Sequence, residues 1–176
     1  MSVALAAPAV AERPRLTLAR MIPTCTGAAD GPTKLAAFDA ALRDAGIANF
    51  NLLVLSSVIP PASLVTSDRQ SIDQPAGEWG DRLYVVMAER RVDTPGEEAW
   101  AGIGWVQDET GKGLFVEHDG PDEQSVRADL ETTLAAVADA RDVRFGAPRM
   151  RIRGAVCTDR PVCALVAAVF RSESWS

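Results

Sequence analysis

One histidine and three cysteines are all the sequence offers of two common catalytic and metal-binding residue types, and each scarcity removes a class of chemistry. His118 alone excludes a zinc site built on several histidines. Cys25, Cys157 and Cys163 are odd in number and lack C-x-x-C spacing, so neither a disulfide framework nor a cysteine redox or metal centre is expected. They read as small core residues in a reducing compartment. No stretch approaches the roughly 18 apolar residues of a membrane-spanning helix, so no membrane partner is expected. Positive charge is also short: 18 basic against 24 acidic side chains give a formal charge of −6, which argues against nucleic acid as a partner. There is no G-x-S-x-G elbow, Walker A loop, G-x-G-x-x-G or H-E-x-x-H motif. Gly102-Ile103-Gly104 lacks the third glycine and following helix of a dinucleotide fingerprint and reads as a pair of strand glycines. His118 as the base of a serine hydrolase has no second residue in its support.

What remains is a globular composition, 47% hydrophobic and 24% charged, in 176 residues that favour a single domain. Residues 1–14 are rich in Ala and Pro and read as a loose segment ahead of one domain spanning 15–176. Residues 3–11 carry A-x-A patterns, but no Lys or Arg precedes them and the apolar part is short, so a cytoplasmic chain is expected.

Residues 15–24 alternate as a first strand, followed by a turn-rich stretch over 27–32. Leu35, Phe38 and Leu42 then recur at helical spacing, with Thr33 as N-cap and Gly46 at the end. Residues 51–56 (NLLVLS) form a nearly continuous apolar run that suits a buried strand. Pro60-Pro61 ends it. Residues 67–81 read as a connecting loop, and strands are expected over 83–88, 99–106 and 114–117. Gly120-Pro121 opens a second helix bearing Val126, Leu130, Leu134 and Val137 on one face. Residues 150–157 and 162–170, separated by the turn TDRP, suggest a terminal hairpin. The order of elements favours an α+β fold with mainly antiparallel sheet and two main helices.

Ser56-Ser57, between NLLVL and VIPP, is the chemical oddity. The segment AAFDAALRDAGIANFNLLVLSSVIPP, together with GEWGDRLYVVMAE, FVEHDG before a long helix, and VCALVAAVF near the end, resembles the pyruvoyl-dependent arginine decarboxylases over residues 20–170. The resemblance implies a four-layer αββα sandwich, a carboxy-lyase that turns L-arginine into agmatine and CO₂, and a homotrimer of αβ protomers with sites between neighbours. It also implies a proenzyme that cuts itself. The Ser57 hydroxyl attacks the Ser56 carbonyl, the resulting ester eliminates the Ser56 carboxylate, and the dehydroalanine left at 57 takes up water and loses ammonia. A pyruvoyl group results, with residues 1–56 as β chain and 57–176 as α chain.

Such a group forms a Schiff base with the substrate amine and acts as the electron sink that decarboxylation needs, so neither PLP nor a metal is expected. The resemblance assigns Glu117 as proton donor, Asp39 to the substrate guanidinium, Leu35 to the pocket wall, and Asn51 to processing and substrate contact. A carboxylate such as Asp39 suits the guanidinium fork. His118 alternates away from Glu117 along the strand and is read as peripheral. Pocket residues over 65–82 stay unassigned. Two other readings remain: decarboxylation of another amino acid, and an uncleaved non-enzymatic relative.

Overall fold

The computed structural model describes residues 20–67 and 76–175. Their elements run β1 (Arg20–Asp30), α1 (Lys34–Asp44), β2 (Asn51–Val54), β3 (Val58–Ile59), β4 (Ser63–Thr66), β5 (Arg82–Val92), β6 (Glu98–Gln107), β7 (Gly113–Gly120), α2 (Glu123–Asp139), β8 (Arg149–Val156) and β9 (Val162–Glu173). A five-stranded sheet has the order β2-β5-β9-β1-β4, and a four-stranded sheet the order β3-β7-β6-β8. Pairing is antiparallel except at the two margins of the larger sheet, where β2 lies parallel to β5 and β4 parallel to β1.

Three clusters stack the layers. Ile22, Val86, Val166 and Ala168 of the larger sheet meet Ala101, Ile103, Trp105 and Phe115 of the smaller one. Helix α1 covers the outer face of the larger sheet through Ala37 and Ala41, and α2 covers the smaller through Val126, Leu130 and Leu134. The result is an α+β, four-layer αββα sandwich. It explains why β9 reads VCALVAAV without alternation: the strand sits mid-sheet with both faces covered, and its first eight residues are buried.

The outer layers pack by different means. On the larger sheet, small residues allow backbone contact: a Cβ on Gly27 would lie 2.0 Å from the Ala41 carbonyl oxygen. That is why residues 27–30 continue β1 rather than turning, contrary to the sequence expectation. The strand expected over 15–24 begins at Arg20 among the described residues; 15–19 fall outside them, as do residues 1–14, for which a loose segment is expected. On the smaller sheet, Gly102 gives way to larger side chains, since a Cβ there would approach Leu130 Cδ1 to 2.8 Å and Val126 Cγ1 to 2.9 Å. The G-I-G fragment is therefore a helix seat within a strand. Truncating Leu130 to Ala at this contact costs about 2–5 kcal/mol.

Helix α1 starts where expected, with Thr33 Oγ1 accepting the Ala36 N–H at 3.1 Å, and Gly46 follows it at φ 77°. Its buried stripe is Ala37 and Ala41, however, and Leu35 is 69% exposed. Two further expectations fail. Residues 51–56 do not make a buried strand: β2 stops at Val54, lies at a sheet margin and exposes 65% of Val54. The terminal hairpin does not form either, because β8 pairs with β6 and β9 with β5 and β1, so TDRP carries the chain between sheets. Within the expected loop, residues 67 and 76–81 have no regular element, and 68–75 lie outside the described residues.

Candidate active site

The site grows from a change of sheet. Strand β2 belongs to the larger sheet and β3 to the smaller, so residues 55–57 must cross between them. Leu55 N–H donates to the Val85 carbonyl at 2.8 Å, and the Ser57 carbonyl accepts the Phe115 N–H at 2.8 Å. Each end of the crossing is thereby tied to a different sheet. Ser56, between them, is exposed and makes no hydrogen bond to any described residue.

Beyond the crossing, Val58 and Ile59 pair with Leu114 and Gly113 of β7. That register places Ser57 alongside the inter-sheet face of β7, where alternation also puts Phe115 and Glu117. The Ser57 hydroxyl donates to Glu117 Oε1. Phe115 packs edge-on against Phe170, centroids 6.1 Å apart, beneath the same region. His118 turns to the other face and meets Thr133 Oγ1 of α2 at 2.7 Å, the peripheral position expected of it.

Of the residues singled out in sequence, Ser56, Ser57 and Glu117 are thus brought together. Asn51 opens β2 beside Arg82, its Nδ2 donating to the Gly80 carbonyl at 2.5 Å and its N–H to the Asp81 carbonyl at 2.8 Å. Leu35 and Asp39 lie elsewhere. They share an outward stripe of α1 with Arg43, whose guanidinium holds the Asp39 carboxylate at 3.0 Å. Within one chain that stripe does not join Ser57.

Sequence reasoning missed one polar group at this place, the Phe115 backbone N–H on the Ser57 carbonyl. Negative charge gathering on the residue 57 carbonyl would be met at once by this fixed donor. A backbone donor leaves no residue-type signal; only the β3–β7 register exposes it. Among the described residues, no group of three or more His, Cys, Asp or Glu side chains is disposed to hold a metal ion, and no helix is long and apolar enough to cross a membrane.

Comparison with known proteins gives this arrangement a context. The family model described as pyruvoyl-dependent arginine decarboxylase matches residues 21–174. A protein of that name from Halobacterium salinarum is 38% identical over 119 residues, covering 66% of this chain and 71% of its own. Its namesake from Methanococcoides burtonii is 36% identical over 110 residues, 58% of this chain and 60% of that one. Pyruvoyl-dependent arginine decarboxylase 2 of Archaeoglobus fulgidus is 35% identical over 89 residues, 49% and 55% of the two chains. With a match running from β1 to the end of β9, the chain belongs to the pyruvoyl-dependent arginine decarboxylase family.

Proposed function

We propose that this protein is a self-processing decarboxylase that converts L-arginine to agmatine and CO₂, using a pyruvoyl group made from Ser57. The observation that carries the reading is the Ser57 hydroxyl on the Glu117 carboxylate, one residue after an exposed, unbonded Ser56. A structural turn has no need of that pairing.

The surroundings fit both the cut and the group it would leave. Cleavage needs the Ser57 hydroxyl to reach the preceding carbonyl, and a carboxylate on that hydroxyl can take its proton as the ester bond forms. The two halves, residues 1–56 and 57–176, would then stay in place, because β2 is held by β5 and β3 by β7. A pyruvoyl carbonyl supplies the covalent electron sink that loss of CO₂ from an amino acid requires. The chain's own groups do the rest. The amide carbonyl of residue 57 survives the conversion and keeps its Phe115 N–H, which stabilises charge on that oxygen. Glu117, freed of the serine hydroxyl, is placed to give a proton to the carbon from which CO₂ departs.

Substrate choice rests on α1. Asp39 already grips a guanidinium, that of Arg43, and an arginine substrate offers the same planar fork. Because the Leu35–Asp39 stripe faces away from Ser57 in its own chain, we place the site between protomers of a trimer, with α1 of one chain facing the crossing of another. Exposed Leu53, Val54 and Val58 beside the crossing suit such burial. Three buried, free cysteines agree with a cytoplasmic setting.

Intact mass and N-terminal analysis of freshly purified protein test the reading. Two fragments divided between Ser56 and Ser57 are expected, the larger blocked by a borohydride-reducible carbonyl, with arginine turned over ahead of lysine, ornithine and histidine. Ser57→Ala is expected to leave one full-length, folded and inactive chain. A wild-type protein that stays whole and inactive, or a Ser57→Ala chain that cleaves at the same place, would sink it.

A further inference from the structure

Beside the crossing from β2 to β3 lies a cavity of ≈ 250 Å³ lined by Arg20, Leu55, Tyr84, Phe170 and Arg171. Two of these residues tie it to the Ser56–Ser57 bond. Leu55 immediately precedes Ser56, and Phe170 packs on Phe115, whose N–H holds the Ser57 carbonyl. Two other walls are cationic. Arg171 lies opposite Tyr84 in the β5–β9 pairing, stacks 4.8 Å above its ring and meets Glu173 at 2.9 Å. Arg20 is fixed by its backbone N–H on the Ala62 carbonyl at 2.7 Å, while its guanidinium has no hydrogen bond or ion pair with any described residue. Glu173 is shared by Arg171 and Arg82, so the charge of Arg20 is left over.

Cutting the chain makes an anion here that the intact chain lacks. The Ser56 carbonyl becomes a carboxylate, tied through Leu55, whose N–H donates to the Val85 carbonyl at 2.8 Å. One residue spans at most about 3.6 Å, so the new terminus stays close to the cavity wall. Left beside residue 57, it would face the Glu117 carboxyl and fill space that the substrate's own carboxylate needs. Like charges so close disfavour each other. Arg20 offers a planar fork that pairs with a carboxylate through two N–H groups. The substrate carboxylate is the poorer occupant, because a guanidinium grip favours its charged ground state and opposes loss of CO₂. The Ser56 carboxylate keeps its charge for good.

We propose that this cavity receives the Ser56 carboxylate after self-cleavage, with Arg20 as its counter-charge, and that this docking clears the site for substrate. It rests on the self-cleavage proposed above and goes beyond it by naming where the severed end goes.

NMR of cleaved protein carrying serine ¹³C-labelled at the carbonyl, recorded as pH is lowered, tests it. The Ser56 carboxylate is the titrating signal that is present after cleavage and absent from uncut Ser57→Ala. In wild type it is expected to titrate about one pH unit below the ordinary chain-terminal value of about 3.3–3.7. Arg20→Gln is expected to return it to that value, about a tenfold change in its dissociation constant, and Arg20→Lys to keep most of the lowering. Equal titration in wild type and Arg20→Gln would overturn the docking; if the KM for arginine rose at the same time, Arg20 would belong to the substrate carboxylate instead. A wild-type chain that never cleaves shows no new carboxylate and removes the self-cleavage reading itself, so the two failures are distinct.

Discussion

The chain passes directly between the sheets at four places, β2 to β3, β3 to β4, β5 to β6 and β8 to β9, and the first and last of these crossings are built oppositely. The one from β8 to β9 is closed by backbone and burial: Cys157 N–H donates to the Glu97 carbonyl at 2.8 Å, the Cys157 carbonyl accepts the Gly96 N–H at 2.8 Å, and the Pro161 carbonyl accepts the Gly31 N–H at 2.9 Å. Arg160 adds an ion pair to Asp30 at 3.1 Å, and Cys157 is 1% exposed. The crossing from β2 to β3 has one backbone hydrogen bond at each end, the Ser57 hydroxyl on Glu117, and exposed Ser56 between. Such a connection can be opened without disturbing either sheet, whereas opening the other would strip Cys157 from Val92, Ala99 and Val162. The proposed cut thus falls at the more loosely tied of the two.

The largest expected effect lies at the first crossing. Glu117→Gln keeps the shape of the side chain but removes its acid, and is expected to lower arginine decarboxylation by about 10²- to 10⁴-fold in chains verified by mass to be cleaved. The thermal midpoint should stay close to wild type. Activity within tenfold of wild type would show that another group delivers the proton.

The crossing from β8 to β9 should answer in stability alone. Cys157→Ala removes a buried sulfur from a tight cluster and is expected to cost about 1 kcal/mol, read as a fall in the thermal or denaturant midpoint. Cleavage and turnover should be unchanged. A change in cleavage rate would mean that the two crossings are coupled and that the contrast between them is false.

How legible these crossings are in the sequence follows from their physics. Ser56-Ser57 stands out because serines seldom interrupt an apolar run, and Glu117 gains meaning only beside the motifs of a known family. The helices are legible because caps and spacing are local: Thr33, and the Val126, Leu130, Leu134 face of α2. What fails is partner choice. Nothing in residues 150–170 says that β8 and β9 join different sheets, since strands flanking a polar turn look alike whether they pair with each other or not. Likewise NLLV reads as a core strand although it lies at a sheet margin with Leu53 and Val54 exposed, because composition alone does not tell an exposed apolar strand from a buried one. Gly27 misleads for a related reason: its lack of a side chain serves α1 rather than a turn.

The smallest effect concerns pH at the end of β9, against β5, the strand that holds β2 ahead of the first crossing. The Tyr84 hydroxyl holds the Glu173 carboxyl below its ordinary value of 4.5, aided by Arg82 and Arg171 and opposed by desolvation. A carboxyl whose value is lowered on folding stabilises the fold fully above its unfolded value and loses that contribution as pH falls through the folded one. Wild type and Glu173→Gln should therefore differ in thermal midpoint at neutral pH and converge as pH drops below 4.5. Because the side chain is solvated, salt should shrink the share contributed by the two arginines and leave the tyrosine hydrogen bond. Midpoints that stay equally separated from neutral pH to well below the ordinary carboxylate range would show that the Glu173 charge has no part in holding the end of β9.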